Sequence, residues 1–599
     1  MKLSKELRKL GDFTTTIRVL PIAGLAMVIG VIAAYVALAL LRLIGLFTNL
    51  FYYQRIGTAM VSPAGNHLGW WAVLVPVAGG LVIGLMARYG SERIRGHGIP
   101  EAIESILIGG SKVQPRLAIL KPLSAALSIG TGGPFGAEGP IIMTGGAFGS
   151  MIAQFFHLTS VERKTLLVAG AAAGMSATFA APLSAILLAV ELLLFEWKPR
   201  SLIPVALASA TAGAGRRYLI GLGPLFPTPA HPVFIGPAGL LGCVVCGILA
   251  GALSALLTGA VYAAEDAFAK LPIHWMWWPA IGGLVIGVGG LIFPQALGVG
   301  YDTIGSLLQG NGTIGLLLGV LLVKSTIWAV SLGSGTSGGV LAPLLMMGGA
   351  LGGLEASFLP AAGAGFWPLV SMGAILGGTM RSPFTGIVFA IELTHDVNMI
   401  LPLLVAAVIA HTFTVLVLKR SILTEKVARR GFHLSREYSV DPLEVIFVRE
   451  VMRTRLIAFE GTGTIAEARS MVKDGHSPRG QHLYPVIGAD RRLSGVITRK
   501  DLASHRGEST RMCDLARPNP IMAFAEEPLS TVVYRMAETG YTRMPVVDSN
   551  EDRRIVGMIS LDDLLRARAR NLSEERTRER VLQVRLPFRS AGSSSPATK

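Results

Sequence analysis

The same Gly/Pro-broken apolar pattern occurs twice in this chain, about two hundred residues apart, as in an internally repeated membrane domain. The first copy runs Gly136-Ala137-Glu138-Gly139-Pro140-Ile141-Ile142-Met143-Thr144-Gly145-Gly146, and the second runs Gly338-Gly339-Val340-Leu341-Ala342-Pro343-Leu344-Leu345-Met346-Met347-Gly348-Gly349. Pro140 therefore matches Pro343, and the register continues from Pro182-Leu183-Ser184 through Glu191-Leu192 into Pro383-Phe384-Thr385 through Glu392-Leu393. A helix that starts inside a bilayer leaves amides that lipid cannot satisfy. Such backbone persists only where it is buried in protein or lines a polar cavity. Matched breaks in two halves thus imply a pathway for an ion or small solute near the membrane midplane.

Composition agrees with a polytopic helical membrane protein, since 51% of the chain is hydrophobic, 15% is charged and 72 of 599 residues are Gly. Apolar runs at 19–41, 237–262 and 399–418 have the length of a span, and 279–293 is a shorter piece. Lys2, Lys5, Arg8, Lys9 and Arg18 precede the first run, which has no small-residue cleavage site and so reads as a span rather than a signal peptide. The positive-inside tendency places that basic start, and the Arg-rich chain after Lys419, in the cytoplasm. Both termini are expected there, in a bacterial inner membrane. The net charge of +16 flanks membrane spans and points to anionic lipid headgroups, not nucleic acid. Three cysteines, Cys243, Cys246 and Cys513, make no disulfide framework, and the first two fit packing in a Gly-rich helix.

Near Leu423 the sequence changes to a mixed charged composition with short β-branched runs, so a membrane domain over 1–425 is followed by a linker over 426–447 and a soluble region. That region is itself duplicated. Tyr484-Pro485-Val486-Ile487 with Leu493-Ser494-Gly495-Val496-Ile497-Thr498 is matched by Met544-Pro545-Val546-Val547 with Ile555-Val556-Gly557-Met558-Ile559-Ser560. Each unit, 448–505 and 511–570, reads as helix, strand, turn, strand and helix, and the tail 571–599 reads as disordered. Thr498 with Asp501 and Ser560 with Asp563 have capping-box spacing at the final helix starts.

Three Gly-rich helix starts, Gly96-His97-Gly98-Ile99-Pro100, Gly136-Ala137-Glu138-Gly139-Pro140 and Gly339-Val340-Leu341-Ala342-Pro343, could aim unpaired amides at one point. Such ends bind an anion without a buried cation. At these residues the chain resembles the CLC family of chloride channels and chloride/proton antiporters, over nearly all of 15–425, and the duplicated tail resembles a pair of cystathionine-β-synthase (CBS) domains. The resemblance implies an all-α polytopic homodimer of inverted repeats with broken helices, one anion pore per subunit, followed by a small α/β CBS pair. It implies that Glu138 is the gating carboxylate, that amides of Val340 and Leu341 hold a central anion, and that amides around Ala137 and Gly139 hold an outer one. Resident cofactors and metals are not required, but adenine nucleotide is possible at Thr498, Asp501, Ser560 and Asp563.

Departures from the family pattern are equally informative. His97 stands where a small or polar residue is usual, so an imidazole N–H is available to the anion, or the ring turns aside to backbone. Leu423, in Ser421-Ile422-Leu423, stands where a pore-lining tyrosine is usual, and Ala137 replaces a common basic residue. Leu192 occupies the position of the antiporters' inner proton-transfer glutamate and cannot carry a proton. Glu191, Glu196 or water are the remaining carriers, although Glu191 and its repeat partner Glu392 also read as structural caps. These features favour a voltage- or pH-gated chloride channel with Glu138 as gate and the CBS pair as regulator. The alternatives are a chloride/proton antiporter on the same fold, a fluoride exporter, or a CBS-regulated divalent-cation transporter, which lacks the carboxylate cluster it needs. No nucleophile–base pair or metal-ligand set suggests an enzyme.

Overall fold

The computed structural model describes residues 15–231, 235–432, 442–473, 481–549 and 552–576, the side chains of residues 444, 473 and 571–576 excepted. The chain forms two compact units that divide between Arg430 and Gly431. Lys2, Lys5, Arg8, Lys9 and the stretch 577–599 of the expected disordered tail lie outside the described residues.

The first unit is helical. Six stretches among the described residues are long and apolar enough to cross a bilayer: Val19–Tyr53, Gly69–Gly90, Gly236–Ala269, Trp275–Ile292, Ile314–Gly333 and Val397–Arg429. The runs expected at 19–41, 237–262, 279–293 and 399–418 fall within four of these or overlap them. Shorter apolar helices include Leu117–Gly130, Leu341–Glu355, Phe366–Met380 and Pro383–Thr394. At about 1.5 Å per residue the 15-residue helix Leu341–Glu355 covers about three quarters of a hydrocarbon core. It is a part-span, as the proline and glycines at its start suggested.

The repeat is also a packing repeat. Helix Glu138–Gln154 meets helix Ser160–Phe179 backbone to backbone at Gly145 and Gly149, where an added Cβ collides with the carbonyls of Gly170 and Leu166. Their counterparts Gly348 and Gly352 give helix Leu341–Glu355 the same approach to Phe366–Met380, against Met372 and the Trp367 carbonyl. Without a hydrophobic drive between helices in lipid, such small-residue contacts gain their energy from close van der Waals packing.

The second unit holds two small sheets built to one plan. In the first, β1 (Phe459–Glu460), β2 (Leu483–Ile487), β3 (Leu493–Thr498) and β4 (Arg517–Pro518) lie in that order. β1 pairs parallel with β2 and the remaining pairs are antiparallel. In the second, β5 (Ala523–Phe524), β6 (Arg543–Val547) and β7 (Ile555–Ser560) repeat the first three strands, down to the bulge at Val486/Ile487, which recurs at Val546/Val547. Helix Ile465–Lys473 joins β1 to β2, and Leu529–Thr539 joins β5 to β6. The parallel partners β1 and β5 are two-residue strands, too short for a periodicity to reveal.

Candidate functional site

The three Gly-rich loops converge. Gly136 and Gly339 exchange backbone hydrogen bonds of 3.1 and 2.9 Å, and the Gly96 amide donates to the Thr336 carbonyl at 3.2 Å. Gly98 has φ +91°, and a Cβ there would strike the Gly139 carbonyl, while a Cβ on Gly139 would strike that of His97. Only glycine allows both the left-handed backbone and the approach.

Glu138 is the first residue of helix Glu138–Gln154, with Ala137 as its N-cap. Its side chain is fully buried and crosses to the other repeat, where Oε1 accepts the amide of Ala342. The amides of Leu341 and of Glu138 itself are close by, and Oε2 has no hydrogen-bond partner among the described residues. Val340 is the N-cap of helix Leu341–Glu355, so the carboxylate sits at the positive end of that helix. Its partners there are the amides of Ala342 and Leu341, whereas the sequence reading names those of Val340 and Leu341 for the central anion. Amides placed in this way can serve an ionised carboxylate or a small anion. A protonated carboxyl is a weaker acceptor and yields them.

Two further groups belong to this site and were not singled out from the sequence. Lys121 and Lys324 are repeat-related, each lying 17 residues before Glu138 and Leu341 respectively. Both are fully buried. Lys121 Nζ donates to the carbonyls of Ile94 and Gly96, each at 2.8 Å, and Lys324 Nζ donates to that of Gly298 at 2.7 Å. Gly96-His97-Gly98 and Gly298-Val299-Gly300 are thus equivalent loops, each clamped by the lysine of its own half. Lys324 and Tyr301, whose buried hydroxyl has no hydrogen-bond partner among the described residues, are also near enough to Glu138 for electrostatic interaction. A lone cation in an apolar helix is itself a functional-site signal in a membrane protein, and it was available in both segments.

His97 is 3% exposed, and its Nδ1 has no hydrogen-bond partner among the described residues. Glu101 takes the Gly98 amide at 2.8 Å and the Lys426 ammonium at 2.7 Å. Lys426 lies on helix Ile422–Arg429, which carries the fully buried Leu423 and is held by Tyr262, whose hydroxyl donates to the Ile422 carbonyl at 2.5 Å. The helix includes 426–429, which the sequence reading had placed in the linker.

The residues considered for the inner proton path are arranged as reciprocal caps. Glu191 accepts the amide and hydroxyl of Thr385 at 2.9 and 2.5 Å, at the start of helix Pro383–Thr394. Glu392 accepts the amides of Leu183 and Ser184, both at 2.8 Å, at the start of helix Pro182–Leu188. Each half caps the other. Leu192 is fully buried beside this arrangement, within a π-helical turn over Ala189–Leu194. Glu196 faces Lys198 at 3.3 Å, Lys164 at 3.9 Å and Arg200 at 4.0 Å, and accepts the Ser201 hydroxyl at 2.7 Å.

In the second unit, the Thr498 hydroxyl donates to Asp501 at 2.7 Å and accepts the Asp501 amide at 3.1 Å, and Ser560 and Asp563 are joined in the same way through the hydroxyl. The Thr498 hydroxyl, first among several donors, holds the Asp501 carboxyl below the usual carboxylate range. A small cavity of about 30 Å³ takes in Ser560 and Asp563 together with Arg453, Arg455, His482 and Arg543. Arg453 Nε occupies one Asp563 oxygen at 2.8 Å.

The family model described as "Voltage gated chloride channel" matches residues 79–415, and that of the CBS domain matches 448–508 and 512–570. A ClcB-like chloride channel protein of Ralstonia nicotianae is 32% identical over 352 residues, 57% of this chain and 82% of its own length. The H(+)/Cl(-) exchange transporter ClcA of Klebsiella pneumoniae subsp. pneumoniae is 31% identical over 422 residues, 64% of this chain and 84% of its own length. A slow cyanobacterial Cl-/H+ antiporter superposes with a TM-score of 0.60 at 22% identity, covering 70% of this chain and 99% of that one. A eukaryotic CLC transporter superposes equally well, at 0.60 with 18% identity, and covers 91% of this chain and 98% of that one. With broken helices, converging loops and a tandem α/β tail all in place, the chain belongs to the CLC family and carries two CBS domains.

Proposed function

We propose that the protein exchanges chloride for protons across the membrane, with Glu138 as the group that both excludes the anion and takes up the proton. The observation that carries this reading is the buried Glu138 carboxylate on the Ala342 amide, where charge favours an anion and protonation frees the site. Relatives named as H(+)/Cl(-) exchangers support exchange over the channel that Leu192 first suggested. With Glu191 engaged as a cap and Leu192 apolar, the inner leg of the proton path runs through water. The fluoride reading has less support, because the relatives above 30% identity described here are named for chloride.

The working unit in this proposal is a homodimer in a bacterial inner membrane with both termini in the cytoplasm. Exposed Leu183 and Phe384, at equivalent repeat positions, supply apolar surface for a second copy. Val340, Leu341, Ala137 and Gly139 offer backbone amides to chloride, His97 tunes its selectivity and Leu423 lines the inner pore. The CBS pair regulates transport by binding adenine nucleotide at Ser560 and Asp563, where the arginine-lined cavity suits phosphate.

The test uses purified protein in chloride-loaded proteoliposomes, with membrane potential clamped by valinomycin and chloride efflux recorded together with external pH. Proton movement against its gradient, driven by chloride, is the expected result. Chloride efflux without proton movement refutes exchange and restores the channel.

A further inference from the structure

A groove of about 490 Å³ lies at one end of the crossing Gly69–Gly90, lined by Arg88, Tyr89, Glu92, Arg93, Arg116 and Trp275 among others. Its membrane face is fixed by ion pairs within the first unit. The loop after Gly90 leads into helix Ile99–Leu107, whose Glu101 pairs with Lys426 and whose Glu104 pairs with Arg430, directly before the division between the units. The groove therefore opens on the face where the chain leaves the membrane for the CBS pair.

Its charge is unbalanced. Arg88, Arg93 and Arg116 are exposed, and Arg116 Nε donates to the neutral Gln114 at 2.8 Å. Glu92, the one acid in the lining, pairs with Arg95 at 3.1 Å, and the Arg95 guanidinium stacks over Trp275 at 4.5 Å. Directly membrane-ward of these cations the surface is apolar. Val82 and Leu85 precede Arg88 on its helix and are 44% and 43% exposed, and Ile119, one turn beyond Arg116 on the helix that enters the bilayer, is 68% exposed. The two helices touch here, Gly90 lying against Leu120. Cations at headgroup depth, aromatic rings beside them and bare aliphatic surface one turn deeper match a phospholipid from phosphate to acyl chain.

We propose that this groove binds the phosphodiester headgroup of an anionic phospholipid, through Arg88, Arg93 and Arg116. The aliphatic residues distinguish the lipid from free phosphate, which offers nothing to cover them. The position gives the lipid a route to the transport site, since Arg93 lies three residues from Gly96, whose carbonyl Lys121 clamps.

Native mass spectrometry of the full chain tests this, after equilibration with vesicles of equimolar phosphatidylcholine and phosphatidylglycerol. Wild type retains phosphatidylglycerol in preference to phosphatidylcholine. Each basic residue near such a surface contributes on the order of fivefold, so Arg88→Gln/Arg93→Gln/Arg116→Gln lowers retention about a hundredfold, and Arg116→Gln alone about fivefold. The corresponding triple lysine variant restores most of it. Chloride flux in pure phosphatidylcholine vesicles, unchanged in the glutamine variants, shows that they are folded; should the triple variant not fold, the single one carries the test. Equal retention by wild type and variants overturns the proposal. So does displacement of the lipid by inorganic phosphate, which assigns the groove to the free ion.

Discussion

Replacing Glu138 by Gln keeps the shape of the side chain and an acceptor for the Ala342 amide but removes the charge. A hydrogen bond to an ionised group contributes about 1.5–3 kcal/mol and a neutral one about 0.5–1.5, so the variant side chain holds these amides less tightly by about 1.4 kcal/mol, or tenfold. Since chloride competes for the same amides, its apparent affinity at neutral pH should rise about tenfold. Acidification should bring wild type toward the variant, because protonating Glu138 achieves what the substitution does. The difference therefore shrinks as pH falls, and the variant itself shows little pH dependence. Calorimetric titration with chloride across that range measures the affinity, and parallel flux recordings should show chloride movement without proton movement. Weaker chloride binding in the variant, or proton movement that survives, refutes the idea that carboxylate and anion share one site.

If Glu191 is a cap and not a proton carrier, Glu191→Gln, which can still accept the Thr385 amide, leaves the chloride-to-proton ratio within twofold of wild type. Uncoupling in that variant reassigns the inner proton path. Glu191→Ala and Glu392→Ala should each cost about 1 kcal/mol as lost caps, read as lowered thermal stability in detergent. In the CBS pair, Thr498→Ala removes the hydroxyl that holds the Asp501 carboxyl low, so an NMR titration should find that carboxyl moved back up. A depressed carboxyl stabilises the fold above its unfolded-state range and loses that contribution as pH falls through the lowered value. The stability gap between wild type and Thr498→Ala should therefore be present at neutral pH and close in acid.

The elements that sequence makes legible are those whose geometry is local. Gly136 to Pro140 and Gly338 to Pro343 announce broken helices because glycine and proline act on their own backbone, and the CBS pair shows itself through its repeated Pro-Val strands. Glu138 is conspicuous as a carboxylate among glycines. The lysine clamps are different in kind. Lys121 and Lys324 can be seen as lone charges, but their targets, Gly96 and Gly298, lie 25 and 26 residues away and are joined only by the fold. The Glu191 contact to Thr385 spans 194 residues. Leu192 draws the sequence reading toward a channel, whereas relatives named as H(+)/Cl(-) exchangers support exchange. A missing side chain removes one carrier from view, and water, which leaves no residue, is not written in the sequence.

The crossed caps also bear on how the protein is made. A ribosome delivers residues 182–188 long before Glu392 exists, so the amides of Leu183 and Ser184 wait in the membrane without their carboxylate, and Glu191 waits without Thr385. Neither half can finish its own helix starts. Maturation is therefore a joint event, set off by the arrival of the second half, and the two copies of an ancient duplication remain bound to a single act of assembly.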